Sequence, residues 1–186
     1  MSEPGVNEPG VTPGYVADLP GIARELEAYA AASGWDQPAR LFALVDTAEL
    51  LAAQPDLASA LAESAPSLTP IEQEPVPGTE LEELLAGIVW PETVAGAAAV
   101  VERVVLPPEA DAEIPEDPEE ARLWAQQHPD RQEVRLVAAA VRGGSAYCAL
   151  RMRAHDEAAS VVMGPDLVPA LVSLLHATFE EESSGE

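Results

Sequence analysis

The sequence predicts an α+β fold in which an antiparallel sheet, built around a long C-terminal hairpin, carries helices packed on one face. Two strand-like runs at residues 133–142 and 145–154 are joined by Gly143-Gly144, the pattern of a hairpin with a two-residue turn that needs positive φ. Helix-like and strand-like segments do not alternate regularly elsewhere along the chain. Separate helix and strand runs favour an α+β class over a doubly wound parallel sheet.

Residues 19–33 are predicted to form the first helix. Asp18 precedes this segment as a candidate N-cap, and Gly34 follows it as a stop. Its apolar stripe, at helical spacing, consists of Ile22, Leu26, Tyr29 and Ala30.

An apolar run at residues 39–45 has the length and composition of a buried strand. Asp46 and Glu49 follow with the spacing of a capping box, which predicts a short helix that stops before Pro55. The same two carboxylates have acid–base chemistry as an alternative role, but helix capping explains their spacing without it. Prolines recur from there to residue 77 and predict loop, apart from a short helix near 56–63.

The middle of the chain is predicted to hold a helical turn at 79–85, a strand at 94–106 and a helix at 119–127. Residues 107–120 combine acids and prolines too densely to bury a face, so we expect an exposed acidic loop there.

The last elements are a short strand at 160–163 and a helix with Pro165 in its first turn. The apolar stripe of this helix consists of Leu167, Leu171, Leu174 and Leu175.

The chain is predicted to form one domain over residues 18–180. Residues 1–17 contain two Glu-Pro-Gly-Val repeats and are expected to be a disordered arm. Residues 181–186 are an acidic run and are expected to be a disordered tail.

The charge of the chain excludes some classes of partner. It carries 33 Asp and Glu, nine Arg and no Lys, for a formal net charge of −24. Nucleic-acid binders gain most of their affinity from Lys and Arg on phosphates, so we expect no nucleic acid and no anionic membrane surface as partner.

Cysteine usage and hydropathy predict a cytoplasmic location. Cys148 is the only cysteine, so no intrachain disulfide can form. The N-terminal residues lack the basic and apolar regions of a signal peptide. No apolar run approaches the roughly 18–20 residues of a transmembrane helix, so we expect no membrane insertion.

No motif indicates a metal, a cofactor or a catalytic group. His128, His155 and His176 fall in three different predicted elements and have no cysteine nearby. Gly-rich phosphate loops and nucleophile elbows are absent from the sequence. Cys148, in the middle of a predicted strand, is interpreted as a core residue rather than a nucleophile.

The hairpin supplies the candidate partner-binding residues. With Gly143-Gly144 as the two turn residues, Arg142, Tyr147, Arg151 and Arg153 share one face, and Val137, Val141, Leu150 and Met152 share the other. Three arginines beside an aromatic ring suit a carboxylate-bearing protein partner. The alternative is that acids of the same chain cover this face as internal ion pairs.

Two tryptophans carry the alternative functional hypothesis. Trp35 and Trp90 each lie close to an acid and a proline. With His155 they are the residues expected to line a pocket if the protein is a small hydrolase or a small-ligand-binding protein.

The chain resembles a family of small acidic proteins from high-GC actinobacteria over roughly residues 15–180. The resemblance rests on GWDQPARLFALV at residues 34–45, IVWP at 88–91 and SAYCALR at 145–151. It implies no assigned activity. The element order is also similar to that of small secretion-chaperone-like domains, a likeness of topology and charge only.

The leading functional hypothesis is therefore a non-enzymatic protein-binding or chaperone-like module. Its expected partner is another protein, with a homodimer as the alternative assembly, and no cofactor is expected.

Overall fold

A six-stranded sheet forms the centre of the computed structural model, which describes residues 13–56, 67–74 and 80–179. All neighbouring strands are antiparallel, in the order β2-β1-β3-β4-β5-β6. The strands are β1 (Arg40–Asp46), β2 (Leu68–Glu72), β3 (Val94–Val105), β4 (Gln132–Val141), β5 (Ala146–Met152) and β6 (Val162–Gly164).

In the part of the chain that the structure describes, α-helices and short 3₁₀ turns surround the sheet. The α-helices are α1 (Pro13–Ala32), α2 (Thr47–Ala53), α3 (Leu81–Gly87), α4 (Pro118–Gln127) and α5 (Pro169–Ala177). The 3₁₀ turns are Pro108–Glu113, Arg153–His155 and Ala158–Ser160. The α+β class and the antiparallel sheet are confirmed. No helix among the described residues is long and apolar enough to cross a lipid bilayer.

Helices cover both faces of the sheet, so the prediction that they pack on one face is wrong. Helix α1 packs against one face, where its partners include Phe42, Val100 and Val137. Helices α3 and α5 pack against the other face, over Ala97, Ala99 and neighbouring residues. The central strands explain the difference, because β4 is buried at seven of its ten positions and therefore needs a cover on each side.

Several local predictions agree closely with the structure. The Glu49 N–H donates to the Asp46 carboxylate at 3.0 Å and so caps α2. Strands β1 and β3 and helix α4 lie within two residues of their predicted bounds.

Other boundaries differ from the prediction. Helix α1 begins at Pro13, so residues 13–17, assigned to a disordered arm, belong to its backbone. Strand β2 was predicted as loop, and it tolerates Pro70 because it lies at an edge of the sheet. Helix α5 begins at Pro169 rather than near Pro165.

The predicted acidic loop is only partly a loop, since Pro108–Glu113 is a 3₁₀ turn whose Ala110 is buried. The predicted helix near 56–63 lies almost wholly outside the described residues. The expected disorder of residues 1–12 and 181–186 also concerns residues outside the described part of the chain.

The hairpin register differs by one residue from the prediction. Its turn contains Arg142 as well as both glycines, since the Val141 N–H donates to the Ser145 carbonyl at 3.0 Å. Arg135 therefore faces Arg151, whereas the predicted register placed Leu136 there. A one-residue slip moves every side chain of one strand to the other face, so the predicted sharing of faces between β4 and β5 is wrong.

Gly96 of β3 lies very close to the backbone of β4. A Cβ at this position would lie 2.5 Å from the Ala140 carbonyl oxygen and 3.1 Å from Val141. A Cβ added at Gly21, in the middle of α1, would have no atom within 4 Å.

We expect Gly96→Ala to lower the free energy of unfolding by about 1–3 kcal/mol, because the added methyl group must displace backbone in a packed sheet. Gly21→Ala is the matched control and should raise it by about 0.5–1 kcal/mol through helix propensity. Urea unfolding of both variants measures the effect. Equal stabilisation by the two changes would contradict the close approach at Gly96.

Candidate functional site

The four hairpin residues predicted to share a face are separated in the structure. Arg142 lies in the turn, while Arg151 and Arg153 lie at the far end of β5. Tyr147 is half-buried against the core on the α1 side. Whether any of the four binds a partner stays a prediction, but they do not form one common surface.

A buried ion cluster joins α1 to the hairpin. Arg135 and Arg151 are directly opposite on β4 and β5, and both reach Glu27 of α1. The Glu27 carboxylate lies 2.6 Å from Arg151 Nε and 3.4 Å from Arg135 Nη1. All three side chains are at most 8 % exposed. Because two like charges face each other across the strands, the shared carboxylate is what makes their burial tolerable.

Asp156 and Trp35 complete this cluster at its outer side. Asp156 accepts from Arg151 Nη1 at 3.0 Å, which brings the cluster to two acids and two arginines. Arg151 first, and then the neighbouring Trp35 indole, hold the pKa of Asp156 below its ordinary value. The indole N–H is buried without a well-formed hydrogen bond. The Arg135 guanidinium lies 4.4 Å from the centre of the Trp35 ring.

The segment after α1 is held by charged contacts at several points. Arg135 Nη2 donates to the Gly34 carbonyl at 2.8 Å. Arg153 makes a forked pair with Asp36 at 2.9 and 3.1 Å and lowers the pKa of its carboxyl group. Asp36 adopts a positive φ of 65°, which aspartate tolerates better than most residues. The Glu102 carboxylate accepts from the Asp36 and Gln37 N–H groups at 2.8 and 2.6 Å.

Arg142 closes the opposite end of the sheet. Its guanidinium donates to the carbonyls of Val94, Trp90 and Pro91 at 2.8–3.1 Å and lies 5.1 Å from the centre of the Phe179 ring. These contacts are internal to the chain, and they fasten the turn before β3 to the end of α5.

The described residues do not form the pocket expected from Trp35, Trp90 and His155. Trp35 lies over Arg135, whereas Trp90 is beside Arg142 and donates to Thr178 at 2.9 Å. Arg135 lies in β4 and Arg142 directly follows the last residue of that strand. The seven positions between them correspond to about 23 Å at ~3.3 Å per residue. His155 is exposed on a 3₁₀ turn after β5.

Groups with metal-binding or nucleophilic potential are scattered in the part of the chain that is described. No three His, Cys, Asp or Glu side chains there are grouped to hold a metal ion. Cys148 is fully buried, and burial raises the pKa of its thiol, which disfavours the reactive thiolate.

One open groove runs between α3, the end of β3 and α4, and we call it the acidic groove. Its volume is about 630 Å³. One wall carries Glu80, Glu82 and Glu83, the floor is residues 102–104, and the other wall is the 122–126 stretch of α4. The lining contains four glutamates and two arginines, so its formal charge is negative.

Two of the groove glutamates are paired with its arginines. Glu82 pairs with Arg103, and Glu80 lies 4.0 Å from Arg122 with both side chains well exposed. Glu83 has no ion pair within the described residues. Exposed pairs of this kind contribute little to stability and can exchange partners.

Sequence reasoning missed Glu27 and Arg135. Glu27 occupies a core position of α1, between the buried Ala23, Leu26 and Ala30. Arg135 lies between Val134 and the apolar run at residues 136–141 of β4. An acid on an apolar helix stripe together with a base inside an apolar strand is the signal that would have indicated the pair.

A family model described as PPA1309-like protein matches residues 19–180. The match spans most of the chain, and the chain belongs to that family. No curated protein and no solved structure matches it.

We expect Glu27→Gln to lower the free energy of unfolding by about 3–5 kcal/mol, because it leaves two buried arginines without their shared counter-charge. Glu25→Gln, an exposed change two residues away on the same helix, is the matched control and should stay within about 0.5 kcal/mol of the parent. Urea unfolding at neutral pH compares the two. Similar costs for both variants would contradict a structural role for the buried cluster.

Stability should fall as the pH is lowered through the carboxyl range. The folded-state pKa values of Asp36 and Asp156 are below the ordinary value of 3.8, so their pairs stabilise the fold above that pH and lose this contribution as the pH falls through the lowered values. We expect Asp36→Asn/Asp156→Asn to flatten the acid limb of the stability curve in urea unfolding. Asp130→Asn is the control, and an equal flattening there would rule out the assignment.

Proposed function

We propose that this member of the PPA1309-like protein family is a non-enzymatic protein-binding module whose partner docks where β3 ends and α4 begins. The observation that carries the proposal is the clustering of exposed apolar side chains in that part of the chain. Half of the eight large hydrophobic residues exposed among the described residues fall between positions 104 and 123. These four residues, which we call the apolar corner, are Val104, Val105, Ile114 and Leu123.

Their exposure is substantial. Leu123 is 57 % exposed, and the other three are between 38 % and 45 % exposed. Single exposed apolar residues are ordinary, whereas several that form one patch favour an interaction surface. These four lie within 20 positions of the sequence, with Val104 and Val105 on opposite faces of β3. The neighbouring acidic groove gives this surface a polar border, as is usual for protein interfaces.

Helix α4 supports the proposal because it is only loosely attached. None of its residues is buried. Its N-terminus is capped by Asp117, whose carboxylate accepts from the Glu119 and Glu120 N–H groups at 3.0 Å. A capped helix with little core contact keeps its shape while its outer face stays free for a partner.

A chaperone-like role is the finer form of this proposal. A surface that combines apolar side chains with a strong negative charge suits a client segment that is both apolar and basic. The alternative of a hydrolase or small-ligand pocket has no comparable support, because Trp35 and Trp90 are at opposite ends of the hairpin.

Affinity capture from the source cell tests the proposal with Ile114→Asp/Leu123→Asp as the disrupting variant. A partner bound by the parent should be lost by this variant, because charges then occupy the apolar corner. Val89→Asp/Val162→Asp is the matched control, since these residues are 67 % and 50 % exposed but lie outside the corner. Thermal melting should show all three proteins folded.

The proposal fails if both double variants capture the same proteins as the parent. Recovery of the chain itself as the lost partner, with a matching change in molar mass by light scattering, would indicate a homodimer instead of a foreign protein.

A further inference from the structure

Strand β3 is longer than its neighbour β1 and leaves part of one edge uncovered. Its 12 residues pair with β4 along most of their length, to Val105. The pairing with β1 ends at Val100, opposite Arg40. Within the described residues, positions 102–105 therefore have a partner strand on the β4 side only.

The alternation of the ladder identifies which backbone groups point to the open side. The Arg142 N–H donates to the Ala95 carbonyl at 3.0 Å, so odd-numbered residues of β3 face β4. On the other side of β1, the Gln73 N–H donates to the Leu41 carbonyl, so the backbone groups of Leu41 point to β2. The backbone groups of the next residue, Phe42, therefore point to Ala98 of β3. The even-numbered residues of β3 accordingly face β1. Past the end of β1, the residues that face outward are Glu102 and Val104.

These two residues differ in how their outward groups are used. The Glu102 carbonyl accepts weakly from Arg103 Nη1 at 3.4 Å, and its side chain holds the segment at Asp36 and Gln37. No hydrogen bond among the described residues reaches the outward N–H or C=O of Val104. Val104 as a whole is 38 % exposed.

The acidic groove follows this same edge. Glu102 and Val104 place their side chains on one face of the sheet and Arg103 on the other, yet all three line the groove. A groove lined from both faces of a strand lies along its edge, and the other edge is occupied by β4.

We infer that the acidic groove receives an extended basic segment of a partner protein, which adds to the sheet at Val104. Strand addition supplies main-chain hydrogen bonds, and alternate side chains of the added strand reach the walls. Arginine or lysine at alternate positions would face Glu80 and Glu83 on the α3 wall. This inference rests on the proposed function and names the chemistry of the partner.

A second copy of the chain is a poorer occupant of this edge. Pairing two copies through Val104 would bring two sets of groove glutamates together in chains that each carry a formal charge of −24. Such like-charge contact is unfavourable. A basic segment instead gains from the same field.

Binding of a labelled octapeptide of alternating arginine and valine, followed by fluorescence anisotropy at near-physiological ionic strength, tests the inference. Val104→Pro removes the outward N–H, and because that group is outside the β3–β4 ladder the fold should survive. We expect this variant to bind about tenfold more weakly or worse. Val104→Thr keeps the N–H and should bind like the parent.

Glu80→Gln/Glu83→Gln should weaken binding and reduce its salt dependence. Glu25→Gln/Glu157→Gln removes the same charge from exposed positions outside the groove lining and should leave binding unchanged. An octapeptide of alternating glutamate and valine should not bind. Thermal melting verifies that each variant is folded.

The inference is overturned if Val104→Pro binds the arginine peptide as the parent does, if the two glutamine pairs lose affinity equally, or if the parent does not bind it. Equal losses would mean attraction to net charge alone. Its failure is distinct from failure of the proposed function. A cellular partner that is lost by Ile114→Asp/Leu123→Asp but kept by Val104→Pro would preserve protein binding and exclude strand addition.

Discussion

The sharing of one buried carboxylate by two arginines is the constraint on which much of this fold depends. Arg135 and Arg151 face each other across β4 and β5, and Glu27 of α1 contacts both. Two buried like charges are tolerable only if α1 lies over this part of the sheet, so the ion cluster fixes where the helix packs. It also specifies the hairpin, because a one-residue slip would turn one arginine to the opposite face and leave the other with the wrong partner.

The register of the hairpin shows where sequence reasoning succeeds and where it stops. The strands, the turn glycines and the Asp46 cap are local signals, and each appears in the structure close to its predicted place. A Gly-Gly pair does not reveal whether the preceding residue still belongs to the strand. Arg142 lies in the turn, with its N–H on the Ala95 carbonyl of β3 and its side chain on the carbonyls before β3. These partners of Arg142 are distant in sequence, so the sequence alone did not reveal that Arg142 belongs to the turn, and the predicted arginine face was based on the wrong register.

The arginines of this acidic chain mostly serve its own structure. Six of the nine form ion pairs among the described residues, namely Arg40, Arg103, Arg122, Arg135, Arg151 and Arg153. Arg142 is held by backbone carbonyls. The sequence correctly indicates that arginines are scarce, but whether an arginine binds a partner or pairs inside its own chain depends on tertiary contacts. Because most of these arginines pair internally, the net charge that the protein presents to a partner is negative.

The core cluster and the proposed docking edge are joined by the short segment that follows α1. Arg135 and Arg153 hold this segment at Gly34 and Asp36, and its N–H groups in turn hold the Glu102 carboxylate. Its contact with β3 ends at Glu102, and the first backbone groups beyond it without a partner in the described region are those of Val104. The contacts that stabilise the arginine cluster therefore also decide how much of the β3 edge is covered. Any change that loosens the pair between Asp36 and Arg153 should therefore lengthen the exposed edge of β3.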